Sequence, residues 1–301
     1  MKFVISLIAA PNGPVIDDQL IRKLADAAAA YVDSFADPVE LSPGRAYDIY
    51  LREHPRPDLI AAYDRIAIEA RVDLNILPQD DRRKSLLVAD MDSTIIGQEC
   101  IDELAEFAGK RAEISAITDR AMRGELDFED ALRARVAMLK GLPDSVLQET
   151  FDKKITLNPG AKTLIATMKA QGAKAVLVSG GFSFFTSRVA AAAGFDAHQA
   201  NELLVENGAL TGRVREPILG REAKQAALER FTKEFGLTRA QTMAVGDGAN
   251  DLSMLARSGL GVAFHAKPAV AEAAEARIHR GDLTALLYLQ GIAQAEFVET
   301  L

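Results

Sequence analysis

The feature that most constrains the fold is a series of short apolar segments, each followed by a polar or glycine-rich motif. The segments and the residues that follow them are 86–89 before Asp90, 175–178 before Ser179, 243–245 before Gly246, and a further segment at 260–264. Helical patterns separate the segments, which is typical of a parallel sheet covered on both faces. Ligands of such sheets bind beyond the carboxyl ends of the strands. We therefore predict a doubly wound parallel-sheet α/β core whose motifs converge on one crevice.

The first 80 residues predict a separate α+β unit, because strand and helix signals alternate there. The predicted elements are strands at 1–10, 46–51 and 72–77, a helix at 17–31 and a helix that begins at Pro57. The opening segment also fits a short signal peptide, but a turn at residues 11–13 and an immediate helical pattern favour a strand. A polar stretch at residues 79–84 sets the predicted boundary between domains 1–80 and 81–301.

Residues 97–158 carry helical periodicity and no strand signal, so we predict an all-helical insertion after the first core strand. Its position in the chain would place it over the crevice as a cap. Residues 202–214 predict a hairpin, because Asn207-Gly208 is a favoured two-residue turn.

Composition excludes several classes of protein. Hydrophobic residues make up 49% of the chain, which favours a globular fold over disorder. The net charge of −8 argues against a nucleic-acid partner, which needs a basic surface. The only cysteine is Cys100, which excludes an intramolecular disulfide and favours a reducing compartment such as the cytoplasm. No apolar run reaches the roughly 18 residues that span a membrane.

Two pairs of acidic residues follow core strands. Asp90 and Asp92 come directly after the first strand, and Asp247 and Asp251 come after the third. One carboxylate of the first pair can act as a nucleophile and the other as a general acid or base. The alternative is a solvated loop or a helix cap. Four carboxylates in one crevice would need a cation, and oxygen ligands with substrate phosphate suit Mg²⁺.

The Ser179-Gly180-Gly181 motif can hold a phosphate, because glycines allow close approach of main-chain N–H groups before a helix. An ordinary strand-to-helix turn is the alternative. Lys224, in a helix that begins near Gly220, would by default be a solvated surface residue. Residues 246–251 fail the dinucleotide fingerprint, since Asp251 occupies its last glycine position.

These motifs, in this order, resemble the haloacid-dehalogenase superfamily of phosphotransferases over residues 85–301. Four segments are similar in sequence to the phosphoserine phosphatases within this superfamily: residues 90–94 with Glu99, 123–128 with Arg135, 178–182, and 245–252. The first 80 residues resemble the ACT-like, ferredoxin-like N-terminal region of the longer bacterial members.

The resemblance implies Mg²⁺-dependent hydrolysis of O-phospho-L-serine to L-serine and phosphate, the last step of L-serine biosynthesis. Asp90 would be the nucleophile that forms an aspartyl-phosphate, and Asp92 would act as the general acid and then the general base. The metal would be bound by the Asp90 carboxylate, the Asp92 main-chain carbonyl and Asp247, with Asp251 in support.

The resemblance also implies how the substrate is held. Glu99 and Arg135, on the cap, would pair with the ammonium and the carboxylate of the phospho-amino acid. Lys224 would also screen the charge of the nucleophile. The phosphoryl group and the substrate would be held by Ser179, the Gly180 amide, Lys224 and Asn250.

Two alternative functions stay open at this point. The same mechanism could act on phosphohomoserine or phosphothreonine, or transfer the phosphoryl group to another hydroxyl. A different class of function is an amino-acid-sensing regulator with a vestigial core, against which the four intact acids count. Apolar strands in the first 80 residues could also pair two copies into a homodimer.

Overall fold

The structure, a computed structural model, describes residues 2–29 and 37–299. Its N-terminal part is an antiparallel sheet in the order β2-β3-β1-β4 with two helices. These elements are β1 Phe3–Ile8, α1 Asp18–Ala29, β2 Val39–Ser42, β3 Ala46–Leu51, α2 Pro57–Ala70 and β4 Asp73–Pro78. The order βαββαβ is that of ferredoxin-like motifs.

The sequence predictions for this part need two corrections. Strand β2 was not predicted, so the strand expected second along the chain is the third. The strand expected at residues 72–77 lies one residue later. The predicted helix at 17–31 is observed as α1, and its last two residues lie outside the described part of the chain, as does Met1 of the opening strand.

The second sheet is the predicted parallel core, in the order β12-β11-β10-β5-β6-β7. The strands that follow β4 are β5 Leu86–Ala89, β6 Lys174–Phe182, β7 Ala197–Asn201, β8 Leu203–Glu206, β9 Ala209–Val214, β10 Thr242–Gly246, β11 Leu260–Phe264 and β12 Ala276–Ile278. Strands β7 and β12 were not predicted. Alternate residues of β5 pack into two different apolar clusters, which confirms a sheet covered on both faces.

The remaining helices either cover the core sheet or form the insertion between β5 and β6. They are α3 Cys100–Phe107, α4 Arg111–Met122, α5 Phe128–Ala137, α6 Ser145–Lys154, α7 Ala161–Ala170, α8 Ser183–Ala193, α9 Arg221–Glu234, α10 Leu252–Arg257, α11 Pro268–Ala273 and α12 Ala285–Leu289. Helices α3 to α6 form the insertion. In the part of the chain that the structure describes, no helix is both long and apolar enough to cross a bilayer.

The β8–β9 hairpin, which follows β7 in the chain, packs against the helical insertion. The hairpin turns at Asn207 and Gly208, both with positive φ (51° and 73°), as predicted. The Leu210 N–H donates to the Leu142 carbonyl at 2.8 Å, and the Gly141 N–H donates to the Leu210 carbonyl at 2.9 Å. The hairpin therefore extends the cap, a long-range contact that periodicity does not show.

The N-terminal sheet is packed on both faces. One face carries Ile5, Leu7 and Ile49 and lies in an apolar cluster with residues of α1 and α2. The opposite face carries Val4 and Ile8 and packs into the large core cluster, which includes residues of α12. The second face of the N-terminal sheet is thus buried against the rest of the molecule.

A buried ion pair crosses that second face. Asp48, on β3, has a fully buried side chain and accepts two hydrogen bonds from the Arg82 guanidinium, one of them at 2.8 Å. Arg82 also donates to the main-chain carbonyls of Leu289 and Tyr288, at 2.8 and 3.1 Å, at the end of α12. One arginine between the two sheets therefore joins β3 to α12.

Candidate active site

The chain turns sharply after β5, and the turn carries the first two acids. Asp92 and Ser93 leave helical geometry, and Ser93 has a left-handed φ of 55°. The Asp90 carboxylate accepts the Met91 N–H at 2.7 Å, and the Asp92 carboxylate accepts the Cys100 N–H at 2.9 Å. Both acids are buried, with exposed fractions of 3% and 9%. The turn therefore places two carboxylates, two residues apart, at the carboxyl edge of the sheet.

Lys224 is buried against the acids rather than on the solvated face that its type suggests. Its Nζ lies 2.7 Å from Asp90 Oδ2 and 2.7 Å from Asp251 Oδ1. Burial alone would lower the pKa of Lys224, but the carboxylates of Asp251 and Asp90 outweigh burial and raise it. The Lys224 ammonium is therefore a fixed positive charge beside Asp90.

Asp251 mainly supports the loop after β10. Its Oδ2 accepts the N–H groups of Asp247 and Gly248, at 3.2 and 3.1 Å. The side chain packs so tightly on β10 that a Cβ added to Gly246 would lie 2.4 Å from it. Asp247 is held from the other side by the Thr94 hydroxyl, which donates to Asp247 Oδ1 at 3.2 Å. Thr94 was not nominated from the sequence, although it lies within the first acidic motif.

The cluster fits a divalent cation. Carboxylate oxygens of Asp90, Asp247 and Asp251 lie within 4.8 Å of one another, and all three residues are buried. Burial and then repulsion from Asp251 raise the pKa of Asp90 well above its usual value and raise that of Asp247 to about 7. Lys224 supplies one positive charge against three carboxylates. Buried oxygen donors with excess negative charge are the donor set that hard divalent cations bind.

Strand β6 continues through Ser179-Gly180-Gly181 to Phe182 rather than ending before Ser179 as predicted. The two glycines at the end of β6 allow close approach to Asp92 and to the cap. The Gly181 N–H donates to Ser179 Oγ at 2.8 Å, and Ser179 Oγ donates to Asp92 Oδ2 at 3.3 Å. A Cβ added to Gly181 would lie 2.7 Å from Asp92 Oδ2, and one added to Gly180 would lie 2.5 Å from the Phe128 ring. Side chains at these two positions would therefore displace the acid or the cap.

Asn201, at the end of β7, ties the end of β6 to the segment before α9. Its amide nitrogen donates to the Gly180 carbonyl at 2.8 Å, and its oxygen accepts the Leu219 N–H at 2.7 Å. The residue is buried and was not nominated from the sequence. A lone asparagine outside the motifs gives no sequence signal for such a role.

The cap contributes one acidic and one basic side chain, Glu99 and Arg135, to the crevice. The Glu99 carboxylate accepts the Ser93 hydroxyl at 2.7 Å, and burial followed by repulsion from Asp92 raises the pKa of Glu99 well above its usual value. Arg135 is 6% exposed, and burial lowers the pKa of its guanidinium. An anion beside Arg135 and a cation beside Glu99 would stabilise the charged forms of both side chains, which burial disfavours.

The structure brings all of the nominated residues to one place. A cavity of about 40 Å³ between the cap and the core is lined by Asp90, Asp92, Glu99, Arg135, Ser179, Gly180 and Asn250, among others. Lys224, Asp247 and Asp251 stand around Asp90. The Asn250 side-chain oxygen is buried and has no hydrogen-bond partner among the described residues, so it can accept a hydrogen bond from a ligand.

Comparison with known proteins assigns the family. The sequence model of the haloacid dehalogenase-like hydrolases matches residues 87–256, more than half of the chain. The chain belongs to the haloacid dehalogenase-like hydrolases. The match begins in β5 and ends in α10, so this hydrolase family accounts for the acidic cluster, the insertion and the lysine helix together.

Curated relatives of this hydrolase are phosphatases. A phosphoserine phosphatase from Albidiferax ferrireducens is 46% identical over 209 residues, which cover 68% of this chain and 88% of the relative. A phosphoserine phosphatase from Archaeoglobus fulgidus is 44% identical over 220 residues, and the match spans 64% of its length. The chain is an enzyme of the phosphatase class.

Solved structures show the same architecture. A HAD family hydrolase from Salmonella enterica has a TM-score of 0.83 at 30% identity, with 96% of this chain and 98% of that chain covered. A substrate-bound phosphoserine phosphatase complex has a TM-score of 0.66 at 41% identity, with 68% of this chain and 97% of that chain covered. The likeness to the Salmonella hydrolase includes nearly the whole chain, and thus the N-terminal sheet as well.

Proposed function

We propose that this hydrolase is a Mg²⁺-dependent phosphoserine phosphatase, which releases L-serine and phosphate from O-phospho-L-serine. The observation that carries the proposal is that Glu99 and Arg135 line the same cavity as Asp90 and Asp92. A zwitterionic amino acid needs one anionic and one cationic partner, and its phosphate needs a nucleophile with neutralising charge. The names of the relatives, and that of the substrate-bound structure, support the same substrate.

In the proposed reaction, Asp90 is the nucleophile. One of its carboxylate oxygens forms a bond to phosphorus as the bond from phosphorus to the serine oxygen breaks. Asp92 donates its proton to the departing serine oxygen, because an alkoxide is a poor leaving group. Burial raises the pKa of Asp92, which favours the protonated form that this step needs.

Asp92 then acts as the base. It takes a proton from a water molecule, whose oxygen attacks phosphorus and releases Asp90 as a carboxylate. Lys224 stays beside Asp90 throughout and offsets its charge. Asp90 and Asp247 would hold Mg²⁺ with the Asp92 main-chain carbonyl, and Asp251 would support them. When bound, the ion stabilises negative charge on the phosphoryl oxygens.

The cap would select the substrate. Arg135 would bind the substrate carboxylate, Glu99 the ammonium, and Asn250 a donor on the substrate or Lys224. Ser179, the Gly180 N–H and Lys224 would hold phosphoryl oxygens. Because Asp90, Asp92 and Arg135 are buried, these charge pairings would be stronger than they would be in solvent.

The direct test is phosphate release from phosphoserine with Mg²⁺ and with a chelator. We expect turnover with Mg²⁺ and almost none after chelation, with restoration when Mg²⁺ is added back. A panel of phosphoserine, phosphothreonine and phosphohomoserine, compared by kcat/KM, should favour phosphoserine. Preference for either of the other two would overturn the substrate assignment, and activity that is insensitive to chelation would overturn the metal assignment.

Mg²⁺ should stabilise the protein more at pH 8 than at pH 5.5. The folded-state pKa of Asp247, about 7, lies above the usual value of 3.8 for an aspartate, so ionising Asp247 in the metal-free protein costs stability as pH rises through this window. Protons and the metal compete for the same oxygens. Thermal unfolding at matched ionic strength should show a shift of several degrees with saturating Mg²⁺ at pH 8.

The matched variant for this experiment is Asp247→Asn. It should show little Mg²⁺-dependent stabilisation at either pH. Equal Mg²⁺-induced shifts at both pH values in the unaltered protein would contradict a metal site that contains Asp247.

The same proposal covers the domain organisation. We divide the chain into an ACT-like domain at residues 1–80 and a phosphatase domain at 81–301 with a cap at about 97–158, supported by the βαββαβ order and by helices α3 to α6. Placement in L-serine biosynthesis follows from the proposed product. A cytoplasmic location and a homodimer belong to the proposal as well, and cell fractionation and light scattering test them.

A further inference from the structure

Arg135 is held inside the cap by two hydrogen bonds to protein groups. Its Nε donates to the Ala131 carbonyl one helical turn earlier, at 3.1 Å, and its Nη1 donates to Thr118 Oγ1 at 3.0 Å. Thr118 lies on α4, is 3% exposed and belongs to none of the four segments that carry the family resemblance. The guanidinium is therefore oriented from a neighbouring helix.

Thr118 is in turn held by Asp102, on α3. The Thr118 hydroxyl lies 2.8 Å from Asp102 Oδ1 and 3.1 Å from the Ile114 carbonyl, and it has only one proton to donate. The shorter contact to a charged acceptor is the stronger hydrogen bond. Asp102 Oδ2 also accepts the Ser115 hydroxyl, at 2.6 Å, which fixes the carboxylate.

This arrangement commits the Thr118 proton to Asp102 and leaves an oxygen lone pair for Arg135. Side chains of three cap helices thus act in series, from Asp102 to Thr118 to Arg135. An arginine side chain that is already ordered loses less conformational freedom when it binds an anion than a free one does. Arg135 lines the cavity, so fixing its side chain beforehand should strengthen the binding of an anionic ligand there.

We propose that Thr118, held by Asp102, positions the Arg135 guanidinium for the carboxylate of the phospho-amino acid, so that preference for substrates with that carboxylate depends on the Thr118 hydroxyl. The inference rests on the proposed function. Thr118 is a positioning residue, since it acts through Arg135. Its loss should weaken recognition of the carboxylate and leave the chemistry at phosphorus unchanged.

The test compares phosphoserine with phosphoethanolamine, which keeps the ammonium and the phosphate ester and lacks the carboxylate. Thr118→Val keeps the shape of the side chain and removes the hydroxyl. We expect it to raise KM for phosphoserine about tenfold, the effect of one hydrogen bond to a charged group, with kcat unchanged. The value of kcat/KM for phosphoethanolamine should change less than about twofold, and Thr118→Ser should restore phosphoserine hydrolysis.

Thr150→Val is the matched control. Thr150 lies on α6 of the same cap, is fully buried, and its hydroxyl has no hydrogen-bond partner among the described residues. It should leave both substrates unchanged. If Thr118→Val does not fold, Asp102→Asn serves instead and should cause the same selective loss of several-fold for phosphoserine.

The role of Thr118 and the proposed function fail by different results. An equal loss on both substrates, or no loss on phosphoserine, would overturn the role of Thr118. An unaltered enzyme that shows no preference for phosphoserine over phosphoethanolamine would instead overturn the proposed function.

Discussion

Replacing Asp90 with Asn is expected to lower kcat for phosphoserine hydrolysis by about 10⁴-fold or more, which is typical of the loss of a catalytic nucleophile. An amide oxygen is a far weaker nucleophile than a carboxylate, although the side chain keeps its shape. Lys224 and Asp251 remain in place, so the fold should survive. Single-turnover phosphate release measures the loss, and calorimetry should still detect phosphoserine binding.

Asp80→Asn is the matched control for this experiment. Asp80 is exposed and lies outside the site, and the same change of charge there should leave kcat within about twofold, as expected for a surface substitution. Turnover above about one hundredth of the original in the Asp90→Asn enzyme would mean that another group attacks phosphorus.

Asp48→Ala is expected to lower the free energy of unfolding by about 3 to 5 kcal/mol, because it leaves the Arg82 charge buried without its carboxylate. The Arg82 side chain is only 8% exposed. The hydrogen bonds from Arg82 to Tyr288 and Leu289 do not neutralise that charge. Urea denaturation, followed by circular dichroism, measures the change.

The neighbouring arginine provides the comparison. Arg83 pairs with Glu296 at 3.0 Å, but both side chains are well exposed, at 55% and 40%. Arg83→Ala should therefore cost less than about 1 kcal/mol, as exposed ion pairs do. Similar decreases in the free energy of unfolding for Asp48→Ala and Arg83→Ala would show that burial does not determine how much the Asp48–Arg82 pair contributes to stability.

The convergence of the acids was predictable from the sequence, because it follows from the geometry of a parallel sheet. Asp90 and Asp247 each follow a short apolar strand, and parallel strands end at the same edge. The pairing of β5 with β10 places the two residues together, as expected. Short or half-exposed strands such as β2 and β12 carry too few apolar residues to stand out, and they were missed.

Contacts between separate elements could not be predicted from the sequence. Asp102 and Thr118 are 16 residues apart on different helices, so no helical spacing relates them. Asn201 bonds to the end of β6 and to the segment before α9, and the β8–β9 hairpin contacts a cap that lies far earlier in the chain. Such contacts depend on how elements pack, whereas periodicity reports only which face of an element is buried.

The second face of the N-terminal sheet has a consequence for synthesis on the ribosome. Arg82 bonds to Leu289 of α12, which lies 207 residues further along the chain. The second face is therefore complete long before α12, which packs against it, has been made. Nascent chains that end within α3 to α6 should therefore expose apolar side chains such as Val4 and Ile8, and they should bind chaperones or aggregate. Release of the finished chain would end that exposure.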